Sequence, residues 1–66
     1  MPSLTPASRL HDALRTLRWS QRTLADFFRV NERTVRRWAA ARYPIPAASL
    51  TWLERVAAFV RDNPAP

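Results

Sequence analysis

The sequence predicts an all-α domain of four helices, at most five. Three observations carry this expectation. Apolar residues recur at three- and four-residue spacing and nowhere alternate as a half-buried strand would. All six prolines fall at the ends or in one central break, leaving two stretches free for helix. Glycine is absent, so any turn that needs a positive φ must use another residue.

Thr5 and Pro6 make a good helix start, a capping hydroxyl followed by proline at the first helical position. Leu10, Ala13, Leu14 and Leu17 then define a buried stripe on a first helix that reaches about Arg18. Ser20 can cap a second helix, QRTLADFF, with Leu24, Phe27 and Phe28 on its apolar side. Arg29-Val30 forms a short break. Asn31 is a good cap for a third helix, from Glu32 to Ala41. Arg42 to Ile45 reads as a loop, and a fourth helix runs from about Pro46 to Asp62. Residues 1–4 are expected to be a short flexible N-terminus, 5–62 a single domain, and 63–66 a frayed tail.

The fourth helix carries more apolar surface than one core face requires. Leu50, Leu53, Ala57 and Val60 make one stripe, and Trp52, Val56 and Phe59 a second beside it. One reading wraps the helix in the other three. The other makes Trp52, Val56 and Phe59 a subunit interface.

A chain of 66 residues is one small domain, burying only about 60% of the surface it exposes when unfolded. Such scaffolds usually gain a disulfide, a metal or a partner subunit. The absence of cysteine excludes disulfides and thiolate metal sites, and His11 alone cannot build a zinc site. Helix packing or dimerisation is left to supply the stability. The apolar runs are too short to span a membrane. MPSLTPASRL also lacks the apolar segment of a signal peptide, so a cytoplasmic protein is expected.

The net charge is +6, and all eleven cationic residues are arginine. A planar guanidinium forms forked hydrogen bonds with phosphates and guanine edges, which an ammonium does not. Five of the arginines lie between Arg29 and Arg42 against one acid, Glu32. A basic cluster of this kind suits a polyanionic partner.

Two short helices joined by a tight turn, the second of them basic, form a helix-turn-helix pattern. At about 100° per residue, Val35 and Trp38 lie about 60° apart on one side of the third helix. Arg33 and Arg37 lie within about 50° of the opposite pole, with Arg36 on a flank. The apolar pair therefore docks the helix, and the arginines face outward as a row. Glu32 precedes Arg36 by four residues, the favourable order for an ion pair worth about 0.3 kcal/mol, so Arg36 is less available to read bases. An ordinary solvated face is the competing reading of the same residues.

The flanking residues add to this. Ser20-Gln21, Leu24-Ala25, Phe28, Val30, Asn31, Val35 and Trp38 stand at the spacing of a known motif. From Ser20 to Trp38 the chain resembles the helix-turn-helix of the phage-repressor and Cro-like (Xre-type) DNA-binding family. With the loop and apolar helix that follow, the resemblance covers roughly two thirds of the chain. It implies a compact helical domain of the phage-repressor type and a homodimeric regulator of bacterial or phage origin, bound to a pseudo-palindromic duplex operator. Carried over by position, it makes Glu32, Arg33 and Arg37 base contacts. Gln21, Arg22, Thr34, Arg36, Arg42 and Tyr43 become backbone contacts. Three positions depart from the family pattern. Arg29 stands at a common turn glycine, Ala41 near another, and Ala39 at a common glutamate. If the turn at Arg29 is kept, a side chain there costs roughly 1–2 kcal/mol; otherwise the turn is altered.

Trp19 is expected in the core, Phe27 in the core or an interface, and His11 on the surface of the first helix. No nucleophile–base pair, carboxylate dyad or glycine-rich phosphate loop is legible, so neither an enzyme nor a cofactor or small-molecule ligand is expected. Two alternatives stand beside a DNA-binding repressor. One is a protein-interaction module, antitoxin-like or adaptor, that uses the last helix. The other is an RNA-binding protein, since arginine-rich helices can enter deformed RNA grooves.

Overall fold

A computed structural model describes residues 5–66, so the expected flexible arm at residues 1–4 lies outside the described residues. Within them the chain is all-helical, with α1 at Pro6–Leu17, α2 at Gln21–Phe28, α3 at Glu32–Ala39 and α4 at Ala47–Asp62. No strand and no fifth helix occurs among the described residues.

Three of the helices start on a side-chain oxygen that accepts a backbone N–H of the first turn, an amide otherwise left without a partner. Thr5 Oγ1 accepts from Ser8 at 3.1 Å, Ser20 Oγ from Thr23 at 3.0 Å, and Asn31 Oδ1 from Arg33 at 2.8 Å. By contrast α4 has no side-chain cap and follows directly from Pro46.

The same three helices end alike. Arg18, Arg29 and Ala41 adopt the left-handed conformation, with φ of 57°, 55° and 60°. Each is followed by a residue whose N–H reaches back five positions, Trp19 to Leu14, Val30 to Ala25 and Arg42 to Arg37, at 2.9–3.0 Å. This is the Schellman closure usually made by glycine, formed here in a chain that has none. Of the two outcomes open at Arg29, the turn is therefore kept, with arginine in the glycine conformation. Two helix ends shift from the sequence expectation for the same reason. The first helix stops at Leu17, not Arg18, and α3 stops at Ala39, not Ala41, because Arg18 and Ala41 are already in the reversal.

The core is shared by all four helices: Leu10, Ala13 and Leu14 of α1, Leu24 and Ala25 of α2, Val35 and Trp38 of α3, and Leu50, Leu53 and Ala57 of α4. Leu10, Leu24, Val35 and Leu53 are fully buried, each worth about 1.5–3 kcal/mol relative to exposure. Ile45 closes the core from the loop between two prolines, where no helical periodicity marks it as buried. Helix α1 packs against α4 and α3, and α2 packs against α3. Arg9 of α1 forks onto the Glu54 carboxylate of α4, with Nε donating to Oε2 at 2.9 Å. A second hydrogen bond joins Arg9 Nη2 to Glu54 Oε1. Val60, assigned by periodicity to the core stripe, is 40% exposed, because the buried face of α4 ends at Ala57.

Candidate nucleic-acid interface

The basic face is built on α3, and the helix is held from several sides. Val35 and Trp38 point into the core, as the angular projection requires. Phe28 of α2 meets the Trp38 ring edge-on at 6.2 Å and the Trp52 ring of α4 at 5.4 Å. At the C-terminal end His11 Nε2 lies 2.9 Å from the Ala39 carbonyl. That oxygen can only accept, so His11 donates its N–H to one of the last carbonyls of the helix. His11 is a surface residue, as expected, but it also ties α1 to the end of α3.

With the helix docked this way, Arg33, Arg36 and Arg37 are exposed while Glu32 and Thr34 are half-buried. The three arginines are held differently. Arg36 Nη1 lies 3.4 Å from Glu32 Oε2, the expected pair one turn apart. Arg37 places its guanidinium carbon 5.7 Å from the centre of the Tyr43 ring, within cation–π range. Arg33 makes no ion pair among the described residues and projects from the first turn. Among the described residues, helix α3 thus offers one free guanidinium and two constrained ones.

Arg42 and Tyr43 join this face through the chain reversal after α3. The Arg42 and Tyr43 N–H groups both donate to the Arg37 carbonyl, at 2.9 and 3.3 Å. Both side chains are exposed. Gln21 and Arg22 occupy the first turn of α2, Gln21 half-buried and Arg22 exposed.

The interface candidates on α4 lie on a different surface. Trp52 is 43% exposed, Val56 half-buried and Phe59 66% exposed, and with Arg55 they line a shallow groove. Through Trp52 that groove meets another lined by Phe27, Phe28, Ala48 and Ser49. Phe27 is 59% exposed, not core, and its ring stacks on Trp19 with centroids 4.5 Å apart. Trp19 itself is half-buried against the core, close to expectation. The result is a strip of exposed aromatic and aliphatic side chains along α4 and the end of α2.

The Arg9–Glu54 pair, in which each partner shifts the other's pKa in favour of its charged form, lies off both surfaces. The Arg9 guanidinium, through its hydrogen bonds to Glu54 and then its charge, holds that carboxyl below the usual glutamate value and outweighs burial. No helix among the described residues is long and apolar enough to cross a membrane. Comparison of the chain with protein-family models, with curated proteins and with solved structures returns no match.

Proposed function

We propose that this protein is a sequence-specific, double-stranded DNA-binding regulator of the helix-turn-helix, phage-repressor-like type, with α3 as the recognition helix. One observation carries the reading: α3 has a buried apolar side and an opposite side of exposed arginines. An α-helix with its side chains is about 10–12 Å across, which a major groove about 12 Å wide admits. In this reading Glu32, Arg33 and Arg37 read base edges. Gln21, Arg22, Thr34, Arg36 and Arg42 hold the phosphate backbone.

An arginine fork on guanine O6 and N7 is the commonest specific contact and discriminates by about 1–3 kcal/mol. One eight-residue helix makes few such contacts, so two copies on a pseudo-palindrome are the natural working unit. The apolar strip of Trp52, Val56 and Phe59 is the surface available for pairing them. Occlusion of a promoter is the simplest regulatory outcome for such a dimer in the cytoplasm. The strip also favours a second reading, a protein-interaction module on the same scaffold.

Binding measured against duplex DNA, duplex RNA and random competitor over a salt series distinguishes these. If a dimer neutralises six phosphates through Arg22, Arg36 and Arg42, log K should fall with log salt at a slope of roughly −5. Sequence preference should survive the rise in salt. Equal affinity for all duplexes, or preference for RNA, defeats the proposal.

A further inference from the structure

We propose that Tyr43 is a positioning residue for Arg37, holding its guanidinium over the aromatic ring in the orientation used to read a base. The proposal rests on α3 being the DNA-reading helix and assigns Tyr43 a task other than touching phosphate.

The contact follows from the way α3 ends. Ala41 takes φ 60° and turns the chain back on the helix. The N–H groups of Arg42 and Tyr43 then bond the carbonyl of Arg37 itself, at 2.9 and 3.3 Å. The backbone of Tyr43 is therefore pinned to the residue whose side chain its ring meets. On the other side Pro44 restricts the chain, and Ile45 is buried in the core. These anchors leave the ring exposed and facing Arg37, with the guanidinium carbon 5.7 Å from its centre.

An exposed arginine loses side-chain freedom when it binds a base edge, and a guanidinium already confined loses less. Phenol and guanidinium also stack in a way that leaves guanidinium N–H groups free to donate in the ring plane of the cation. Glu32 confines Arg36 from the other flank, but through a carboxylate that takes up its Nη1 donor. Tyr43 constrains without consuming donors, which is why the two flanking arginines are expected to differ: Arg37 is left competent for base recognition and Arg36 for the backbone.

The test uses the full chain, an operator selected from random duplexes, and every single-base variant of that operator. Arg37→Ala should flatten preference at one base pair in each half-site. Tyr43→Ala, or Tyr43→Leu should the alanine variant not fold, should reduce preference at that same pair by about 2- to 5-fold. Other positions should not change, and Tyr43→Phe should behave as wild type. Adding Tyr43→Ala to Arg37→Ala should have no further effect on that preference. Uniform weakening on all variants by both Tyr43→Ala and Tyr43→Phe makes the hydroxyl a phosphate contact and overturns the proposal. So does an unchanged profile in Tyr43→Ala. The free protein supplies a separate check. The Arg37 side-chain proton resonances should carry a ring-current shift that Tyr43→Leu abolishes, and its absence in the wild type also overturns the proposal. Should the wild type enrich no sequence while this shift is present, the failure lies with α3 as a DNA reader, and the base-reading task of Tyr43 falls with it.

Discussion

Ala41→Gly should stabilise the protein, although glycine is normally the poorer choice in a helical domain. Ala41 holds φ 60° at the end of α3, with its N–H donated to the Trp38 carbonyl at 3.2 Å. The left-handed conformation costs an L-residue roughly 1–2 kcal/mol, and glycine removes that cost. Against this, glycine adds about 0.4–1 kcal/mol of conformational entropy to the unfolded chain. The methyl group lost is exposed, so no cavity term enters. The balance is a gain of about 0.5–1 kcal/mol, or roughly 2–8 °C in midpoint for a domain of this size. Thermal and urea unfolding followed by tryptophan fluorescence measure it. Ala58→Gly, inside α4, is the matched control, with an expected loss of about 1 kcal/mol. Destabilisation by both substitutions to the same extent would show that Ala41 is not held at positive φ, and the account of how α3 ends would be wrong.

Three further outcomes are expected. Asn31→Ala removes the acceptor for the Arg33 N–H and should cost about 1 kcal/mol in urea unfolding; an unchanged midpoint would mean the cap is not used. Glu54 is held below its ordinary 4.5 by Arg9, so as pH falls the unfolded chain takes up its proton first. The stability that Glu54 contributes is therefore complete above that value and lost as pH drops through the folded value, and the gap between wild type and Glu54→Gln should close across this window. A gap independent of pH would contradict the assignment. Phe59→Glu alters a largely exposed side chain, so it should leave the fold intact and convert a dimer to monomers in sedimentation; an unchanged mass would remove the α4 strip as the pairing surface.

The helices and the outward face of α3 were legible because their signals are local. The hydroxyl and amide caps at Thr5, Ser20 and Asn31 act within three residues, and the opposition of Val35 and Trp38 to the arginines follows from helix pitch alone. What escaped the sequence depends on where the chain goes next. With no glycine to mark it, the reversal at Ala41 looked like more helix, so α3 was extended by two residues. The approach of Tyr43 to Arg37 is a consequence of that reversal and has no helical spacing. The bond from His11 to Ala39 joins positions 28 apart in the chain. Val60, and the core alternative for Phe27, fail because periodicity identifies an apolar side but not how far the neighbouring helices cover it.

Reading of duplex DNA by the arginine face of α3 is the step on which the proposed function rests. Selection of bound sequences from a random duplex pool, with the wild type and Arg33→Ala side by side, tests it most directly. Arg33 projects from the first turn of α3 without an ion-pair partner among the described residues, so its loss should act on recognition and not on folding. Two enriched half-sites about one helical turn apart are expected, with Arg33→Ala relaxing one defined position in each by about 1–3 kcal/mol. No enrichment by the wild type, or a uniform loss of affinity with the preference intact in Arg33→Ala, would contradict it.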